Sequence, residues 1–247
     1  MKTFPVWALA LAGLGCETAG VTSTQEGHVM NTASTSLQDK LDERRTAFNA
    51  QASDEMKAAF EQGVIEVGQD PAIANAKRVG DTAPNFTLPG PTGEQVELKN
   101  LLNNGPVVLT WYRGGWCPYC NIQLKAYQDR LDEFQALGAQ LVALSPETPD
   151  NSLDTKQKNE LEFHVLSDLG NRVAGSYGVA YILPTVVQQQ FKGRLDVPGQ
   201  NGDDTWGLPL AATYVIDTDG TIIYAYIDKD YRKRAEPEVI LEALRSR

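Results

Sequence analysis

The feature that most constrains this chain is the pair of cysteines in Cys117-Pro118-Tyr119-Cys120, placed where one kind of local structure gives way to another. Before it, Val107-Val108-Leu109-Thr110 is a β-branched apolar run short enough to be a buried strand. After it, Asn121-Ile122-Gln123-Leu124-Lys125-Ala126-Tyr127 opens a helical pattern. A helix start presents free backbone N–H groups and the positive end of a dipole, both of which stabilise an anion such as a thiolate. The placement therefore points to redox chemistry at the cysteines.

Composition narrows the alternatives. Of 247 residues only three are cysteine, too few for a disulfide scaffold of this length. With 42% hydrophobic and 22% charged residues, the chain can bury a full core in one sizeable domain plus extensions. A net charge of −10 argues against nucleic-acid binding, which leans on basic surface. No apolar run approaches the ~18 residues needed to span a bilayer.

The N-terminus carries Lys2 and then an apolar run from Phe4 to Leu14, about the length of a signal-peptide core. Ala12-Gly13-Leu14-Gly15-Cys16 resembles a bacterial lipobox, with Gly13 where leucine is usual, and polar residues Glu17 to Ser36 suit a tether. Residues 1–36 thus read as a signal or lipoprotein segment, which puts the protein in the cell envelope. If translation starts at Met30, the protein is cytoplasmic and unanchored.

From Leu37 to about Gly68, Leu37, Leu41, Phe48, Met56, Phe60 and Val64 recur at helical spacing, and Ser53 can cap a second helix. Residues 37–76 are expected to be a helical extension packed on a main domain spanning 77–247. Within that domain, the segment Val79–Leu88 and the alternating Gln95–Leu98 flank the turn residues Pro89–Gly93 and suggest a short hairpin. One helix is expected from the cysteines to Gly138, then a strand over Gln140–Leu144, a helix over Ser152–Leu161, a strand at His164–Leu166 and a helix at Asn171–Tyr177. Thr213–Ile216 and Thr221–Tyr226 flank Asp217-Thr218-Asp219-Gly220, a strong hairpin signal, and Glu238–Arg245 closes as a helix. Residues 179–206 read as an insertion without an assignable role.

This order is that of an α/β thioredoxin-like fold, a central mixed sheet flanked by helices. Val79-Gly80-Asp81-Thr82-Ala83-Pro84-Asn85-Phe86, the segment Trp111 to Asn121, and Thr213-Tyr214-Val215-Ile216-Asp217 together resemble the alkyl hydroperoxide reductase/thiol-specific antioxidant family. The match is to its peroxiredoxin-like branch with a Cys-x-x-Cys. The resemblance implies an enzyme, a thiol-dependent peroxidase that reduces hydrogen peroxide and organic hydroperoxides and is recycled by thioredoxin or a similar dithiol. It implies no cofactor. A homodimer, and a membrane contact through lipidated Cys16, are the further associations it leaves open.

Laid on the family's Pro-x-x-x-Thr-x-x-Cys without gaps, Cys120 takes the peroxidatic position, Cys117 the threonine position and Arg113 the proline position. The family's distant arginine falls at Ala211. The resemblance thus implies Cys120 as peroxidatic and Cys117 as its resolving, disulfide-forming partner. Independently of it, the guanidinium of nearby Arg113 can lower the thiol's pKa and stabilise the thiolate. Thioredoxin logic reverses the order, since there the first cysteine attacks. A thiol–disulfide oxidoreductase and a non-enzymatic redox sensor are the alternatives.

Three blander readings compete. A zinc half-site needs two more Cys or His at matching spacing, and only His28 and His164 exist. An inert structural disulfide does not explain the strand-to-helix placement. His164, between Phe163 and Val165, reads as a packed strand histidine. Trp111, Tyr112 and Trp116 are expected to wall the site.

Overall fold

A computed structural model describes residues 35–247. The lipobox at Cys16, His28 and the alternative start at Met30 lie outside the described residues. Among the described residues no helix is long and apolar enough to cross a membrane.

The chain opens with two helices, α1 (Leu37–Gln51) and α2 (Asp54–Val67). Ser36 and Asp39 form a reciprocal capping box on α1, and the Ser53 hydroxyl accepts from the Met56 N–H at the start of α2. A hairpin follows, β1 (Thr87–Pro89) and β2 (Gln95–Glu97), then the short helix α3 (Leu98–Leu102) and the strand β3 (Val107–Trp111). Helices α4 (Pro118–Gln128) and α5 (Leu131–Ala136) lead to β4 (Gln140–Ser145), α6 (Pro149–Lys158), β5 (His164–Ser167) and α7 (Arg172–Ser176). The chain ends with β6 (Ala180–Ile182), α8 (Thr185–Phe191), α9 (Val197–Asn201), β7 (Gly207–Pro209), β8 (Ala211–Ile216), β9 (Ile222–Asp228) and α10 (Pro237–Arg245).

The central sheet has the strand order β5-β4-β3-β8-β9. β3 pairs in parallel with β4 and β4 with β5, whereas β8 runs antiparallel to both β3 and β9. A parallel pair covered on both faces favours a nearly continuous apolar run, and all five residues of β3 are buried, Thr110 the one polar side chain among them. Because successive side chains point to opposite faces, Leu109 and Trp111 enter one apolar cluster while Val108 joins another, which contains both cysteines. This is the mixed sheet flanked by helices expected of a thioredoxin-like fold.

The structure differs from the sequence reading in three places. The helix expected to run to Gly138 breaks after Gln128 and restarts at Leu131. Arg130 at the break is not helical and pairs with Glu133 and Glu238. Trp111 does not wall the cysteine site; it packs against Tyr177 and Tyr214, in the cluster across the sheet.

The third difference concerns residues 179–206. They have a defined structure: β6 pairs with β7, and α8 lies against α2. A Cβ placed on Gly63 of α2 would fall 2.4 Å from Val187 Cγ2, so glycine at that position permits the close approach. The approach carries Phe191 to within ring contact of both Phe60 and Trp116.

Candidate active site

The turn between β3 and α4 delivers the cysteines. Cys117 is the N-cap of α4 and Pro118 its first residue, where the missing N–H costs nothing. The Cys117 carbonyl accepts from both the Cys120 and Asn121 N–H groups at 3.1 Å. Both thiols are free and buried. Gly114 and Gly115 let the turn fold tightly: a Cβ on Gly114 would meet the Trp116 indole, and one on Gly115 would meet Thr155 Oγ1 at 2.1 Å.

Two donors converge on Cys120 Sγ. The Arg113 backbone N–H donates at 3.4 Å, and Nη2 of Arg234 donates at 3.4 Å from the far end of the chain. Arg234 is itself held through Nε, which donates to Gln123 Oε1 at 2.6 Å. Gln123 in turn donates to Thr110 Oγ1, which lies 2.8 Å from Thr213 Oγ1. Ala211, at the position aligned with the family's arginine, is a buried β8 residue without a charge to offer. The guanidinium beside the thiol comes instead from the segment after β9.

The resulting field separates the two thiols. Burial alone would raise the Cys120 thiol. The hydrogen bond from Cys117, the charges of Arg234 and Arg113 and the Arg113 N–H outweigh it, so Cys120 lies well below the ordinary thiol range. Burial is also the main influence on Cys117, and as the hydrogen-bond partner of Cys120 it is pushed up. The directions are opposite at the two sulfurs: these groups favour the anion on Cys120 and the proton on Cys117. Tyr112, Tyr181 and Glu147 are the other titratable groups facing Cys120.

Arg113 is placed differently from a simple counter-ion. Its guanidinium carbon sits 4.3 Å from the centre of the Tyr231 ring and 5.0 Å from that of Trp116. The side chain is buried, and its Nε has no hydrogen-bond partner among the described residues. It contributes charge to both cysteines while keeping donors unspent.

An apolar cavity of about 180 Å³ opens beside these residues. Phe48 and Phe60 of the N-terminal helices, Phe191, Trp116 and Tyr231 line it, Cys117 is in its wall, and Arg44 borders it. Cys120 is not part of that wall. His164 opens β5, two strands away from β3, and takes no part.

Glu147, in the loop after β4, was invisible to motif reasoning. Its carboxylate accepts from the Gly115 N–H at 2.9 Å and so ties the cysteine turn down. Burial pushes its carboxyl up from 4.5 to about 7. A carboxyl that prefers its proton in the folded state contributes stability below about pH 4.5, and loses it as pH rises through about 7. The lift corresponds to about 3 kcal/mol. Glu147→Gln, which keeps the acceptor, is expected to flatten this dependence. Thermal unfolding midpoints measured from pH ~5 to ~8 should diverge, with the wild type falling below the variant on the alkaline side.

A family model described as the AhpC/TSA family matches residues 79–225, from the segment that docks on the last hairpin to β9. The chain belongs to the AhpC/TSA family. Among its relatives, peroxiredoxin Q of the chloroplast of Oryza sativa subsp. japonica is 29% identical over 185 residues, covering 68% of this chain and 75% of that protein. Peroxiredoxin Bcp of Escherichia coli (strain K12) is 26% identical over 171 residues, covering 69% of this chain and 97% of that protein. Among solved structures, peroxidoxin BcpB from Mycobacterium tuberculosis superposes with a TM-score of 0.53 at 26% identity, covering 68% of this chain and 97% of that one. The AhpC/TSA match begins at residue 79, after the helices that supply Phe48 and Phe60.

Proposed function

We propose that, within the thiol-dependent peroxidase activity of the AhpC/TSA family, Cys120 attacks the peroxide and Cys117 resolves the product. The observation that carries this reading is the convergence of Arg234 Nη2 and the Arg113 N–H on Cys120 Sγ. Only the thiolate is a competent nucleophile, and these groups favour it on Cys120. Sulfur attacks one peroxide oxygen: an S–O bond forms, the O–O bond breaks, and sulfur gives up two electrons. The departing oxygen leaves as water or an alcohol after taking a proton. Arg113, with donors free and its plane fixed between two rings, is suited to hold the peroxide oxygens while charge builds on them.

The Cys117 thiol then loses its proton and attacks the Cys120 sulfenic sulfur, forming the S–S bond and releasing water. The two cysteines share the first turn of α4, so no second segment has to be brought in. A dithiol such as thioredoxin restores both thiols by exchange. Hydrogen peroxide and organic hydroperoxides both meet the chemical requirement, and the aromatic cavity favours an organic body over water.

A second order of events is favoured by one observation: the cavity wall contains Cys117 and not Cys120. Mass spectrometry after one equivalent of peroxide separates the two. In Cys117→Ser, a sulfenic acid on Cys120 is expected. Rapid sulfenic acid formation on Cys117 in Cys120→Ser, with none on Cys120 in Cys117→Ser, would reverse the assignment.

A further inference from the structure

The guanidinium beside the thiolate belongs to a segment, residues 229–236, that has no regular secondary structure. Something must fix its position, because a thiolate contact at 3.4 Å is lost if the backbone shifts by an ångström or so. The N-terminal helices supply two attachments. Glu236 accepts from the Leu37 and Gln38 N–H groups at 3.1 and 2.7 Å, at the start of α1. Two residues before Arg234, Arg232 forms a two-pronged pair with Glu61 of α2, Nη1 to Oε1 at 2.5 Å and Nη2 to Oε2 at 3.0 Å. The same Arg232 side chain binds Asp230 through Nε at 2.7 Å, closing the bend on itself. Tyr231 between them stacks on Arg113 and meets Tyr119 edge-on.

We propose that Glu61 is a positioning residue for the peroxidase reaction: by gripping Arg232 from α2, it sets the bend that presents Arg234 to Cys120 and Tyr231 to Arg113. This inference rests on the reading of Cys120 as the thiolate. It gives the N-terminal helices a part in the chemistry, since Glu61 touches neither cysteine. The charged groups around Glu61 are Arg232, Arg45 and Asp230. Those around Cys120 are Arg234 and Arg113, with Cys117, Glu147, Tyr112 and Tyr181 as the titratable groups.

The direction of the effect makes the idea testable. Glu61 is an anion, so deleting its charge would by simple electrostatics make the thiolate easier to form. Loss of positioning does the reverse. The test titrates the thiolate by its ultraviolet absorbance in the full-length Cys117→Ser protein, with Glu61→Gln, Glu61→Asp and Arg45→Ala added separately. Glu61→Gln is expected to move the Cys120 midpoint upward by at least about half a pKa unit, about threefold in the ionisation constant. Glu61→Asp, which keeps the charge on a shorter arm, should shift it less. Arg45→Ala removes the other partner of Glu61 and should leave the midpoint in place.

A downward or absent shift in Glu61→Gln overturns the proposal, even if its melting temperature falls. So does an upward shift of equal size in Arg45→Ala, because that would mark a general surface-charge effect. If the parent protein has no thiolate ionising below the ordinary thiol range, the reading of Cys120 fails and takes the proposal with it.

Discussion

Cys120→Ser is expected to abolish peroxide turnover, leaving only the rate of an uncatalysed thiol mixture. A serine hydroxyl in the same place is not ionised at neutral pH and has no accessible higher oxidation state, so neither step of the cycle remains. The substitution keeps the side chain's shape and changes one atom within α4, so the fold should survive; circular dichroism and thermal unfolding check this. Cys117→Ser should behave differently. It retains the attacking thiolate, so one equivalent of peroxide is consumed rapidly in stopped-flow measurements. Steady-state turnover with a dithiol then collapses, because Cys120 stays sulfenic or oxidises further. If Cys120→Ser retains turnover, the assignment of the peroxidatic cysteine is wrong.

The second large effect is expected at Arg234. Arg234→Met keeps much of the side-chain volume but removes the donor to Cys120 Sγ and the partner of Gln123 Oε1. With burial then acting on Cys120 with less opposition, its thiol should rise toward and beyond the ordinary range. The second-order rate constant for peroxide at neutral pH should fall by about 10². The loss should shrink as pH is raised, because the thiolate population recovers. A loss equal at all pH values would indicate that Arg234 serves the fold and not the thiolate. Arg234→Lys should rescue only partly, since one ammonium does not reproduce the fixed pair of donors that Nε and Nη2 direct at Gln123 and Cys120.

How much of this was legible in the chain depends on sequence distance. The cysteine pair, the buried run of β3 and the Asp217-Thr218-Asp219-Gly220 turn announce themselves locally. Gly220 does adopt the positive φ that such a turn needs, 85°. Ser53 is read as a cap for the same reason, since its partner lies three residues on; Ser36, read as the end of a tether, caps α1 in the same way. Arg234 was not legible. It sits in Asp230-Tyr231-Arg232-Lys233-Arg234, a run that looks like solvated surface, yet Arg232 and Arg234 are 8% and 5% exposed. The positions aligned with the family's helpers held Arg113, Cys117 and Ala211, and no local rule finds a substitute 114 residues away. Residues 179–206 were opaque because their role is to cover another element: Val187 answers to Gly63 and Phe191 to Trp116. Glu147 carries no motif at all, and only its burial against the cysteine turn marks it.

The late position of Arg234 has a consequence for the life of the molecule before it is finished. A chain emerging from the ribosome exposes the cysteines long before residue 234 has been made. Until that arginine arrives, Cys120 lacks one of the two charges that hold its proton off and is more fully protonated, hence slower toward oxidants. Its reactivity is acquired last, on completion of the final strand and the bend beyond it. A newborn or partly unfolded copy is thereby less open to oxidation at the residue on which the finished enzyme's chemistry rests.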